Sequence, residues 1–215
     1  MIIAILPGFA RGASEFVHWK QLLPGEVELF DLPGHADVPE ISEPTLANLA
    51  AYYASQIPAG ALIVGESLGG LIGLAMAPRG YRVAAFDPPL STAKQWLLQQ
   101  YLPPLVARNS GVKWIPNFVD TRFGITPSGV FEERNYWPLL DALPEPAHVI
   151  AAGESLWPKR DAPQAPSVLD DIDAFHLARH PQVLFRRISG PHTLLTDSIE
   201  PAKAALLEII EACAG

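Results

Sequence analysis

Short apolar runs rich in β-branched residues alternate along the chain with longer segments whose apolar positions recur every three or four residues. Ile2 to Leu6, Val27 to Leu32, Leu62 to Gly65, Val83 to Phe86, His148 to Ala152 and Val183 to Ile188 are the runs. Their length and apolar density suit strands covered on both faces, which is the environment of a parallel sheet. Helical spacing occupies Glu15 to Leu23, Leu46 to Gln56, Leu68 to Ala77, Leu169 to Arg179 and Pro201 to Cys213, the last with proline in a first-turn position. The alternation predicts a three-layer α/β/α sandwich whose mostly parallel sheet of about six strands runs in the order 2-1-3-4-5-6, with helices on both faces.

One stretch breaks the rhythm. From Pro88 to Pro146 there is no clear strand, but there are many prolines and the aromatics Trp96, Tyr101, Trp114, Phe118, Phe123, Phe131, Tyr136 and Trp137. This reads as a cap inserted over the sheet at roughly 90–146, with aromatics available to wall an apolar pocket or to pack the insertion's own helices. A second proline-rich loop, Trp157 to Pro166, follows the fifth strand.

Composition narrows the picture. A chain of 215 residues that is 49% hydrophobic and 18% charged predicts one α/β domain spanning 1–215 with a sizeable core. A net charge of -8 and the absence of a Lys/Arg cluster oppose nucleic acid and anionic membranes as partners. Cys213 is the only cysteine, so neither an intrachain disulfide nor a cysteine zinc cluster can form, and a reducing cytoplasm is the expected setting. Met1 to Leu6 has no basic residues before it and is cut short by Pro7-Gly8, so it reads as a strand and not as a leader. No apolar run approaches the roughly 20 residues of a membrane-spanning helix.

The chemistry concentrates in Gly65-Glu66-Ser67-Leu68-Gly69, between the third strand and the helix that follows it. A GxSxG turn from strand into helix lifts a serine hydroxyl to the carboxyl edge of the sheet and aims the helix's first N–H groups at a reacting oxygen. Serine needs a base to become a nucleophile at neutral pH. Of the six histidines, His192 follows the last strand and precedes the last helix, which brings it to the same edge as Ser67. His35 belongs to a Pro-Gly turn, while His18, His148, His176 and His180 fall in helices, at a strand start or at a helix end, and read as structural.

As a set and in this order, these motifs resemble the α/β-hydrolase superfamily over nearly the whole chain. Leu6-Pro7-Gly8-Phe9 is similar to its HGxx oxyanion loop, Asp31-Leu32-Pro33-Gly34-His35 to its D-x-P-G-H turn, Gly65 to Gly69 to its nucleophile elbow, and Gly190-Pro191-His192 to its G-x-H loop. The resemblance implies an oxyanion hole made by the backbone N–H groups of Phe9 and Leu68, donors typically worth about 3 kcal/mol each. Pro7 stands where the family usually has histidine, and the two strands that open the family's longer sheets are missing, which implies a minimal core.

The third member of the triad departs further. The family's usual acid lies a few residues after the strand ending here at Ala152-Gly153, but this chain reads Gly153-Glu154-Ser155-Leu156. Asp87, directly after the fourth strand, is the preferred replacement, and Asp161, beyond Trp157-Pro158, is the second choice. Glu154 is a third. A strand end would hold Asp87 more rigidly than a loop, while a turn or capping role ahead of Pro88-Pro89 is the competing explanation for it.

The expected activity is hydrolysis of a carboxylic ester or thioester of a small-molecule acyl substrate through an acyl-enzyme on Ser67, with neither metal nor organic cofactor implied. The same triad serves carbon-carbon hydrolases, lyases and acyltransferases, and the same fold serves small-molecule receptors, so these remain alternatives. Nothing in the pattern assigns an oligomeric state.

Overall fold

The computed structural model describes residues 1–93, 124, 132–154 and 166–214. Six parallel strands form one sheet: β1 (Ile2–Leu6), β2 (Glu26–Leu29), β3 (Leu62–Glu66), β4 (Arg82–Phe86), β5 (Ala147–Ala152) and β6 (Val183–Ile188). Their spatial order is β2-β1-β3-β4-β5-β6, the predicted one. Around them lie α1 (Trp19–Leu22), α2 (Leu46–Ala54), α3 (Leu68–Met76), α4 (Pro138–Asp141), α5 (Asp171–Leu177), α6 (Leu194–Asp197) and α7 (Ile199–Ala214).

The two-faced burial of each strand explains the near-continuous apolar runs. Ala4 and Leu6 of β1, Ile63 of β3, Val83 and Ala85 of β4 and Val149 and Ala151 of β5 face a core shared with α2, α3 and α5. Their alternates Ile3, Ile5, Leu62, Val64, Ala84, Phe86, Ile150 and Ala152 face a second core shared with α1, α6 and α7. In α7 the buried positions are Ala202, Ala205, Leu206, Ile209 and Ile210, the three-and-four spacing of one helix face. Side-chain caps start two of the helices. Thr45 accepts the Asn48 N–H ahead of α2, and Asp170 accepts the N–H groups of Ile172 and Asp173 ahead of α5.

Three predicted elements change. The single helix expected over Glu15 to Leu23 is a 3₁₀ turn, Ala13–Phe16, followed by the one-turn α1. Both pieces turn a large ring inward, and Phe16 and Trp19 are fully buried. Strand β2 ends at Leu29 instead of Leu32, because the chain beyond it bends away into the Pro33-Gly34 turn, where Leu32 O accepts the His35 N–H. The last helix begins two residues earlier than expected, and the short α6 precedes it. Most of the predicted cap at 90–146, including Trp96, Tyr101, Trp114, Phe118, Phe123 and Phe131, lies outside the described residues. Tyr136 and Trp137 are described, and both pack on the first core. Among the described residues no helix is long and apolar enough to cross a membrane.

Two glycines set how closely α3 approaches the sheet. A Cβ on Gly69 would lie 2.2 Å from Leu6 O, and one on Gly65 would lie 2.1 Å from Gly69 O. Backbone atoms occupy both places, so no side chain can move aside. Gly60 differs: its φ of +82° favours glycine, but a Cβ there meets nothing within 4 Å. Gly69→Ala is therefore expected to cost about 3 kcal/mol or more by overpacking, whereas Gly60→Ala costs about 1 kcal/mol for the left-handed backbone. Urea unfolding of the two variants beside the parent checks this ordering.

Candidate active site

The sheet order reverses between β1 and β3, and the carboxyl ends of those strands open the crevice where ligands of such sheets bind. Leu6 at the end of β1 leads into Pro7 to Arg11, and Glu66 at the end of β3 leads into Ser67. Ser67 takes φ 54° and ψ -115°, a conformation costly for a residue with a side chain, and α3 starts at the next residue. Its amide donates to Phe86 O at 2.8 Å, which ties the turn to the end of β4. Leu68, first in α3, carries one of the first-turn N–H groups for which the helix has no acceptor.

Asp87 is the residue after β4 and is also left-handed, with φ 46°. Its own N–H donates to Ile150 O at 2.6 Å. The side chain is fully buried, and its carboxylate is surrounded by donors. Oδ1 accepts from the Ser167 hydroxyl at 2.6 Å and the Ala152 N–H at 3.1 Å, and Oδ2 accepts from the Val168 N–H at 2.9 Å and from His192 Nδ1 at 2.6 Å. The Ser167 oxygen accepts the Leu169 N–H in turn at 3.1 Å.

His192 reaches this carboxylate from the far side of β5. Beyond β6 the chain turns at Gly190, whose carbonyl accepts the Glu154 N–H at 3.0 Å, and runs through Pro191 to the imidazole. The bond to a carboxylate that only accepts places the ring proton on Nδ1 and leaves Nε2 as the basic atom of the neutral ring. Burial disfavours the imidazolium, but the Asp87 hydrogen bond, the Asp87 charge and the Glu66 charge outweigh it together with Arg11, so His192 titrates above the ordinary histidine range.

Of the candidate acids, the one brought to His192 is Asp87. Asp161 lies outside the described residues. Glu154 enters the site through its backbone, donating to Gly190 O and accepting the Ser167 N–H at 2.8 Å. Phe9, expected to supply an oxyanion-hole N–H, lies half-buried, with the His35 ring nearly perpendicular to its own at 6.3 Å between centroids. Burial holds His35 below the ordinary histidine range, against the opposing pull of Pro33 O, Asp31 and Leu32 O, so it stays neutral near pH 7.

Three residues of the site gave no readable signal in the sequence: Ser167, Glu66 and Arg11. Ser167 sits at the end of a proline-rich loop with no periodicity. Glu66 is the variable position of GxSxG. Arg11 follows the oxyanion loop and looks like any surface arginine.

Comparison with known proteins agrees with this architecture. A family model described as "Alpha/beta hydrolase family" matches residues 3–208. No curated protein matches the chain in a sequence search. Among solved structures, a thermophilic esterase from Thermogutta terrifontis superposes with a TM-score of 0.65 at 17% identity, over 99% of this chain and 90% of that one. MenH from S. aureus superposes with a TM-score of 0.65 at 15% identity, over 100% of this chain and 95% of that one. A monoacylglycerol lipase from Paleococcus ferrophilus gives a TM-score of 0.62 at 16% identity, over 99% of this chain and 94% of that one. At these identities the likeness is one of fold.

The Asp87 to His192 bond makes a spectroscopic prediction. Asp87→Asn removes the charge and the strong acceptor that raise the histidine, so His192 is expected to titrate at lower pH than in the parent. Following the imidazole proton resonances by NMR across the pH range reads the shift directly, and an unmoved or raised midpoint would contradict the assignment.

Proposed function

This chain belongs to the alpha/beta hydrolase family, and from that premise we propose that it is a serine hydrolase that cleaves a carboxylic ester or thioester through an acyl-enzyme on Ser67. The observation that carries the reading is the 2.6 Å bond between fully buried Asp87 and His192 Nδ1, at the same sheet edge as a serine held in a strained turn at the start of a helix.

In this reading Ser67 Oγ attacks the substrate carbonyl as its proton passes to His192 Nε2. The carbonyl oxygen becomes an oxyanion and is held by the N–H groups of Leu68 and Phe9. Imidazolium at His192 then gives its proton to the departing alkoxide or thiolate, leaving an ester on Ser67. Water attacks that ester, its proton goes to His192, and collapse of the second tetrahedral intermediate releases the acid and restores the serine hydroxyl. Asp87 holds the ring in the tautomer that keeps Nε2 basic and stabilises the imidazolium without taking a proton itself. No step calls on a metal or an organic cofactor.

Solved structures of the same fold that bear the names of an esterase and a monoacylglycerol lipase support esters as the first substrates to try. A cytoplasmic setting, supported by the single cysteine, and a small-molecule acyl substrate in place of nucleic acid or membrane, supported by the acidic net charge, complete the proposal.

A fluorophosphonate probe tests the nucleophile. Labelling is expected in the parent and absent in Ser67→Ala, and a folded parent that takes no Ser67-dependent label at neutral pH overturns the mechanism. On a panel of p-nitrophenyl esters of increasing chain length, Asp87→Asn is expected to lower kcat by about 10²-fold to 10⁴-fold through loss of the productive tautomer.

A further inference from the structure

Beside the serine lies a buried ion pair that the mechanism above does not use. Glu66 directly precedes Ser67, and its side chain is 1% exposed. Its Oε1 accepts from Arg11 Nη1 at 3.3 Å, and its Oε2 accepts from the Leu195 N–H at 2.8 Å. The Arg11 guanidinium is also committed elsewhere. Its Nε donates to Glu15 Oε2 at 2.9 Å, its Nη2 donates to Thr196 Oγ1 at 3.0 Å, and the group lies 5.5 Å from the centre of the Phe16 ring.

These contacts join three loops. Arg11 closes the turn that contains Phe9, its amide donating to Gly8 O at 3.2 Å. Glu66 belongs to the serine turn. Leu195 and Thr196 lie three and four residues beyond His192, in α6. A bracket is built from a carboxylate and a guanidinium that bond each other and each reach α6, Glu66 through the Leu195 N–H and Arg11 through Thr196 Oγ1. Nε, Nη1 and Nη2 of Arg11 each already hold a protein acceptor, which leaves the guanidinium poorly suited to grip a substrate carboxylate through a pair of N–H groups and argues against the simplest alternative role. Structural stabilisation alone is also a weak explanation, since a buried ion pair is often matched or bettered by apolar side chains of similar volume.

We propose that Glu66 and Arg11 are positioning residues for acyl transfer, a carboxylate and guanidinium bracket that sets the oxyanion loop and the histidine loop against Ser67. The proposal rests on the serine hydrolase reading. It has an electrostatic side as well. Glu66 faces His192 as a second negative charge, apart from Asp87, and so favours the imidazolium that forms when the serine proton is taken. Arg11 acts on His192 in the opposite sense, and Asp197 is the further charge facing Glu66. Burial raises Glu66 above the ordinary carboxylate range, against the Leu195 N–H, Arg11 and His192, which pull it down.

Glu66→Gln keeps an acceptor for the Leu195 N–H but removes the charge. It is expected to move the His192 titration, read by NMR, to lower pH, to carry the acid limb of the kcat/KM profile with it, and to lower kcat about tenfold with KM little changed. Arg11→Lys keeps the charge but cannot span Glu66, Glu15 and Thr196 together, so kcat is expected to fall with KM little changed. Thr196→Val, close in shape and outside the ion pair, serves if the first two fail to fold, with kcat expected to fall several-fold while the melting temperature falls only slightly. Variants that lose only thermal stability, with kcat and the His192 midpoint unmoved, overturn the proposal and leave a structural ion pair. The NMR titration needs no substrate. A parent that neither takes the fluorophosphonate nor turns over an ester therefore defeats the hydrolase reading, while the titration still decides whether Glu66 acts on His192.

Discussion

A fully buried carboxylate must be met by donors, and that requirement at Asp87 organises the working edge of this protein. Stripping an ionised carboxylate of water costs several kcal/mol unless hydrogen bonds replace the solvent. Here the replacements come from the last residue of β5, from Ser167 and Val168 where the loop after β5 returns, and from His192 in the loop after β6. Each is a different stretch of chain, so the charge at the end of β4 holds together segments that the sheet alone does not fix. Of the side-chain donors, His192 also reaches solvent, with 17% of its side chain exposed, while Ser167 is fully buried. The ring is thus anchored on its inner nitrogen and available on its outer one.

The same edge carries backbone strain. Ala10, Ser67 and Asp87 all have positive φ without being glycine, and they follow β1, β3 and β4, which are neighbours in the sheet. Such conformations cost about 1–3 kcal/mol each and persist where their surroundings over-determine them. The structure shows how this is done for two of the three. Ser67 N–H donates to the last residue of β4, and Asp87 N–H donates to Ile150 of β5, so the ladder of the sheet is carried one residue beyond the strand end into the strained position. Below that edge, a core on each face of the sheet supplies the rigidity.

Legibility in the sequence followed the length scale of the cause. Strands buried on two faces leave a run of apolar residues, and β1 and β6 were readable to the residue, as was the order of all six strands. The serine turn is readable because a Cβ on Gly65 or Gly69 would fall 2.1 or 2.2 Å from a backbone oxygen, far inside van der Waals contact, so only glycine fits. The division of the helix expected over Glu15 to Leu23 left no mark in the apolar spacing, since Phe16 and Trp19, three residues apart, would share one face of a continuous helix as well. Asp87 was preferred on the rigidity of a strand end, but its partners Ser167 and Val168 left no trace, since a donor supplied by a non-periodic loop has no pattern to betray it. Glu66 and Arg11 were invisible for a related reason: 55 residues separate them, and only the fold shows that they meet.

The place of Asp87 at the end of β4 also accounts for the shape of the histidine loop. Strands in a sheet lie about 4.8 Å apart, so a base that leaves β6 and an acid at the end of β4 are separated by two strand spacings, about 10 Å. The chain must cross the end of β5 to close that gap. Gly190, at φ 132°, makes the turn, and the Glu154 N–H, just past β5, supports it from beneath by bonding the Gly190 carbonyl. Among the described residues after β5, Ser167 and Val168 supply donors that the buried Asp87 carboxylate requires. Beyond β5, Ser167 and Val168 thus act on Asp87 as donors, and the imidazole finds its carboxylate at the end of β4, two strands from the one its own loop leaves.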